Sequence, residues 1–315
     1  VSTSNLQYAY PAQPVRWWFL VLGFGAVAFL LMTWRWGGTV EDSLAYFNAA
    51  RYLRGEIPAS ELRAPFPYRL LVPAVASKLP GDLRHAFAGL NWALVTASAC
   101  MAVAAGRRVC LGERQALFAG LIMLVSLPTF WYAPYLLVDP GSVCARSAFV
   151  LAVLSGQPWL AALAAVMGTA VREENILLLV WLIAARRIAL VHGLAALAIA
   201  AGWLVAVRWW LIPGLPSYTW VPNMWTVRHA LGDVPSLLSL AGCAGLVVPL
   251  AIAGWRRAPA QVRPLASLIL LMALPGLYAA ASVRIDGRII WGLYPFLIPF
   301  AVSAIGNKAV SKLKN

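Results

Sequence analysis

Charge is scarce in this sequence. Only 11% of its 315 residues are Asp, Glu, Lys or Arg, against about 25% in soluble domains. With a mean hydropathy of +0.76, that scarcity excludes an ordinary soluble domain and points to a chain threaded through a bilayer. Histidine is nearly absent: His85, His192 and His229 stand far apart and no HExxH occurs, which leaves no histidine-based metal motif. The four cysteines, Cys100, Cys110, Cys144 and Cys243, form no CxxC pair, so neither a disulfide framework nor a zinc site is indicated. No cofactor is expected; a divalent cation is compatible with the chain but not indicated by it. Polar–apolar alternation is missing too. The apolar segments end at Gly, Pro and Arg clusters, which favours helices over a membrane barrel.

What is present is a series of apolar runs. They predict an all-α, polytopic membrane bundle in one domain, 1–315, with helices at 17–34, 85–105, 115–132, 141–155, 157–171, 175–185, 188–210, 235–254, 264–282 and 289–305. That makes about ten transmembrane helices, several short for a hydrocarbon layer that needs about 20 residues. The first run reads as an uncleaved transmembrane helix rather than a signal peptide, because no small-residue cleavage site follows it.

The formal charge of +14 suggests nucleic acid only superficially, because the basic residues are scattered in short loops. With both termini in the cytoplasm, Arg16, Arg107, Arg108, Arg114, Arg186, Arg187, Arg256, Arg257, Arg263, Lys308, Lys312 and Lys314 all fall inside, as the positive-inside rule requires. Membrane lipid is the expected partner of this charge, and nucleic acid is not. The inner segments then hold one acid, Glu113; the other ten, from Glu41 to Asp286, lie at or near the outer side. A bacterial cytoplasmic (inner) membrane is the expected location. The loop 35–84 carries an amphipathic helix at about 42–54 and the broken apolar stretch "FPYRLLVPAVASKL", both read as interfacial or re-entrant.

Candidate chemistry gathers in that outer layer. Asp42, beside Glu41, shares a helical face with Tyr46, Ala49/Ala50 and Leu53; acids at a helix start also suit its dipole. Asp139 and Arg146 stand two helical turns apart and read as a structural ion pair or a site pair. "VREEN" packs Arg172, Glu173, Glu174 and Asn175 between apolar helices, where a plain turn would use Gly, Ser or Pro. Arg284 and Arg288 flank Asp286 at the mouth of the last helix, a spacing suited to clamping a phosphate. Tyr68 and Arg69 sit in "PFPYRLLVP", where snorkelling to lipid phosphate is the blander reading.

An apolar helix followed by "EDSLAYFNAARYLRGEIP" resembles the opening of the GT-C superfamily of integral-membrane, polyprenyl-phosphate-sugar-dependent glycosyltransferases. The pattern is carried here by Asp42, Tyr46, Ala50, Leu53, Gly55 and Pro58. "PYRLLVP", the "REEN" turn and the late "R…YPFLIP" helix are similar to features of bacterial members. The resemblance implies a sugar donor on a polyprenyl phosphate and a lipid or glycan acceptor from the cell envelope, joined at the outer face. It implies Asp42, or Glu41, as general base and inversion at the anomeric carbon. Arg288 or Arg284, with Arg172, would hold the leaving phosphate; Tyr46, Tyr68, Arg69, Asp139 and Glu173 are further candidate substrate-binding residues. Loops 35–84 and 211–234 would form floor and lid. The rival expectations are a lipid or glycan transporter or flippase, and a non-catalytic partner in an envelope assembly.

Overall fold

Apolar runs without alternation have one way to satisfy their backbone groups in lipid, the α-helix. The computed structural model describes residues 17–40, 42–109, 112–212, 214–215 and 221–305. Among them every regular element is helical, and the one strand-like pairing is a bridge between Gly38 and Tyr135. In chain order the helices are α1 (Trp17–Met32), α2 (Asp42–Leu53), α3 (Leu71–Lys78), α4 (Leu83–Arg108), α5 (Glu113–Leu124), α6 (Leu127–Trp131), α7 (Asp139–Leu154), α8 (Pro158–Val171), α9 (Ile176–Ala184), α10 (Leu190–Ala206), α11 (Met224–Gly232), α12 (Val234–Ala244), α13 (Val247–Gly254), α14 (Leu265–Ser282), α15 (Arg288–Trp291) and α16 (Tyr294–Ser303).

Five continuous helical segments are long and apolar enough to cross a membrane: Trp17–Arg35, Leu83–Arg108, Glu113–Trp131, Leu190–Leu211 and Leu265–Ser282. The pair α12 and α13, bent by 46°, makes a sixth if it is one span. Their outer surfaces fit lipid rather than water: Leu22 and Leu30 of α1, Val191 and Ile199 of α10, and Leu270 and Leu277 of α14 are all exposed.

Three runs expected as single helices are broken. The run 115–132 divides at Val125–Ser126 before Pro128, 235–254 divides at Gly245–Leu246, and 289–305 divides before Pro295. Proline at the first turn of a helix has no N–H to bond backward, so it starts a new helix instead of continuing an old one. The expected loop 211–234 contains α11; within it, residues 213 and 216–220 lie outside the described residues.

At ten residues, about 15 Å long, α16 is short for a hydrocarbon layer of about 30 Å. All ten are buried, and it packs against α4, α5, α7, α13 and α14. It is the central post of the bundle, with Phe296 and Phe300 among the largest fully buried side chains. A second buried cluster sits at one end and joins Tyr46 and Ala50 of α2, Val72 and Ala76 of α3, Phe87 of α4 and Leu136–Val138 before α7. This cluster fixes the beginning of α2. The end of α2 is fixed by Gly55 at φ +75°, with Glu56 N–H donating to the Arg51 carbonyl and Gly55 N–H to that of Tyr52. This is a helix stop that a left-handed glycine makes at no steric cost.

Candidate functional site

The apolar packing of α2, α7, the Arg172–Asn175 turn and α15 brings their polar ends to one place. Ser43 anchors the start of α2: its hydroxyl accepts from Val40 N–H at 2.6 Å and donates to the Val40 carbonyl at 2.8 Å. The Asp42 carboxylate projects across the bundle, where Oδ2 accepts from Arg288 Nη2 at 3.0 Å. Asp286 braces the same guanidinium, taking Arg288 Nε at 2.9 Å and the Arg288 backbone N–H at 3.0 Å. The Arg288 guanidinium also lies 3.9 Å from Asp139.

From Asp139 the charges continue in alternation. Arg172 donates to Asp139 at 2.5 Å and to Glu174 at 3.1 Å. Glu174 accepts from Arg146 at 2.5 Å, and Arg146 also donates to Asn175 Oδ1 at 2.7 Å and to the Gly292 carbonyl at 2.8 Å. A side branch joins Arg69, which grips Glu173 with two hydrogen bonds of 2.9 and 3.0 Å and donates to the Tyr46 hydroxyl at 2.7 Å. Asp139 and Arg146 are 4% and 3% exposed; ions so buried persist only with such partners. Close approach near Asp139 depends on Gly141, where a Cβ would stand 2.6 Å from Val72.

Two carboxyl groups in the loops show the effect. Burial by itself raises the Glu173 carboxyl, but the Arg69 guanidinium outweighs it and holds the group well below the usual carboxylate range. It does so with 37% of the side chain still accessible from the cavity. Asp286 is likewise pushed up by burial, but Arg288, Tyr132 and Arg284 together hold it below its ordinary value.

A cavity of about 1070 Å³ opens over this network. Asp42, Arg69, Asp139, Arg172, Glu173, Arg284 and Arg288, all candidates from the sequence, line it together. Tyr46 is buried beneath, 1% exposed, and touches the site through Arg69. Tyr68 does not join them; its ring carries the Arg208 guanidinium 4.8 Å from the centroid. Glu41 lies outside the described residues. The expected Asp139–Arg146 pair is replaced by two others, Asp139 with Arg172 and Arg146 with Glu174. Sequence spacing cannot see this, because Arg172 and Glu174 enter from the turn after α8.

Glu174, Arg146 and Asp286 also line the cavity, as do Asn48, Glu61 and Arg63, which were not anticipated as site residues. Its opposite wall is apolar, built by Met272, Leu274, Pro275 and Tyr278 of α14. Leu274 and Tyr278 are also more than half exposed, so the α14 residues of this wall are not buried in the bundle.

Among the described residues no cluster of three or more His, Cys, Asp or Glu side chains is arranged to hold a metal ion. Asp42, Asp139, Glu173, Glu174 and Asp286 each already face a guanidinium. Arginines arranged in this way suit anions, which compete for them with the carboxylates. Arg172 Nε, buried and without a partner, adds one uncommitted donor. A second cavity of about 520 Å³ shares Asp42, Arg284, Asp286 and Arg288 with the first and extends toward Arg35, Trp131, Tyr132 and Tyr135. No family model, curated protein or solved structure matches this chain.

Proposed function

We propose that the protein is a membrane glycosyltransferase of GT-C type, which moves a sugar from a polyprenyl-phosphate donor to an envelope lipid or glycan at the outer face of the bacterial inner membrane. One observation carries the reading. A single large cavity combines a carboxylate at the start of α2, several guanidiniums around it and an apolar wall from α14. A sugar phosphate on a long isoprenoid needs that combination: cations for the phosphate, apolar surface for the tail, and a carboxylate at the reacting carbon.

The chemistry follows from the geometry. The donor phosphate competes with Asp42 and Asp286 for Arg288, whose guanidinium contacts both. Once Arg288 turns to the phosphate, Asp42 faces the acceptor. The acceptor hydroxyl oxygen bonds to the anomeric carbon, the bond from that carbon to the phosphate oxygen breaks, and the hydroxyl proton passes to Asp42. Polyprenyl phosphate departs with the electron pair, its negative charge met by Arg288 with Arg172. One displacement inverts the anomeric centre.

The topology that serves this chemistry has about ten spans, the short helices α7, α8, α9 and α16 among them, with α2 and α3 lying at the outer interface. Both termini are then cytoplasmic and the basic loops lie inside.

The test is a purified-protein reaction with a panel of polyprenyl-phosphate sugars and an envelope lipid extract, with products read by mass analysis. The expected result is an acceptor heavier by one sugar residue, with release of polyprenyl phosphate. Movement of the intact donor across vesicles with no new glycoside would favour a flippase and overturn the enzyme reading.

A further inference from the structure

The Asp42–Arg288–Asp286 cluster has two sides. One is the large cavity with its apolar α14 wall; the other is the second chamber, which shares all three residues. The far wall of that chamber is of different chemistry. The Arg35 guanidinium lies 3.9 Å from the Trp34 ring centroid, 4.3 Å from that of Trp131 and 5.3 Å from that of Tyr135, and it donates to the Tyr135 hydroxyl. Among the described residues no carboxylate pairs with it. Aromatic faces orient a guanidinium but bring no full negative charge. Arg35 thus differs from Arg69, Arg146, Arg172 and Arg288, each of which faces a carboxylate.

The chamber is built to stay open at this point. Tyr135 is fixed from behind by Asn91, whose Nδ2 donates to its carbonyl at 3.0 Å. Tyr132 is pinned at its hydroxyl to Ser239 at 2.5 Å. A volume of about 520 Å³ accommodates a small ligand of about one or two sugar rings. Ring faces suit sugar C–H groups, and an uncompensated guanidinium suits a carboxylate or phosphate on the same molecule.

We propose that this second chamber is the acceptor site, and that the acceptor is an acidic sugar or glycan whose anionic group is read by Arg35 while its hydroxyl reaches Asp42 from the side opposite the donor. The proposal rests on the transfer reading above, and it names the acceptor class that reading leaves open.

Binding without donor tests it. The full chain in zwitterionic lipid nanodiscs is titrated with phenyl β-glucuronide and with phenyl β-glucoside, which differ only in the carboxylate. The glucuronide is expected to bind roughly tenfold tighter. Arg35→Gln is expected to bring the two within about twofold with little change for the glucoside, and Arg35→Lys to fall between, since it keeps charge but loses the planar stack. Equal affinities in the wild type overturn the proposal and need no variant. So does a preference that persists in Arg35→Gln. Loss of glucuronide binding when phosphatidylglycerol replaces the zwitterionic lipid assigns Arg35 to lipid headgroups and also overturns it. Because no donor is present, a neutral acceptor would leave glycosyl transfer intact, and an inactive protein would leave the glucuronide preference intact; the two readings fail separately.

Discussion

At the scale of single residues, the account rests on how each buried ion is matched. Arg146 is the sharpest case. It is nearly fully buried and its guanidinium meets Glu174, Asn175 and the Gly292 carbonyl, so it ties α7, the turn after α8 and the start of the last helix together. Replacing it with Met leaves Glu174 with Arg172 alone. We expect a loss of about 3–5 kcal/mol for breaking such a pair from one side, read as a lowered thermal midpoint in detergent. The double change Arg146→Met with Glu174→Gln is expected to recover part of that loss, because the buried carboxylate that lost one of its two arginine partners is removed with it. Arg288 contributes differently. Arg288→Lys keeps a charge but loses the fork that reaches Asp42 and Asp286 together; donor affinity is expected to fall by about tenfold or more, measured by binding of a polyprenyl-phosphate sugar.

At the scale of elements, the turn Arg172–Asn175 and the loop before α15 make stability depend on pH. Glu173, Glu174 and Asp286 have folded values below their ordinary ones: burial opposes ionisation in each, and the adjoining arginines outweigh it. The stabilisation they supply is therefore complete above the unfolded carboxylate values near pH 4, and is lost as pH falls from there through the lower folded values. Thermal midpoints are expected to be insensitive to these groups between pH 6 and pH 8 and to drop below about pH 4. Glu173→Gln is expected to shrink the drop.

These elements also show what the sequence made legible. Of the α2 face that spacing assigns to Asp42, Tyr46, Ala49/Ala50 and Leu53, the residues Tyr46, Ala49 and Ala50 are buried, and the helix ends where Gly55 takes a positive φ. The polar knot at 172–175 was visible because charges between apolar helices are conspicuous. Its partners were not: Arg146 looked like a mate for Asp139 at two turns' distance, yet contacts across the bundle took precedence over contacts along one helix. The second chamber was invisible for the same reason. Its walls come from the end of the first helical segment, from α6 and the residues after it, and from α12 and the loop before α15.

At the scale of the whole molecule, the proposed orientation rests on the asymmetry of charge. In a background with native cysteines replaced by Ala, a cysteine at position 78 is expected to react with impermeant reagent from outside intact cells and one at position 256 only after the membrane is opened; both side chains are exposed. The reverse pattern would place the cavity on the cytoplasmic side, where the proposed acceptors are absent. The most direct measurement of the central claim compares wild-type protein with Asp42→Asn in the same membrane environment, following polyprenyl phosphate released from a labelled polyprenyl-phosphate sugar alongside equilibrium binding of that donor. Asp42→Asn is expected to keep donor binding within a few fold while release falls by about 10²–10⁴-fold. Release that is unchanged in Asp42→Asn would contradict the assignment of Asp42 as the base on which this account depends.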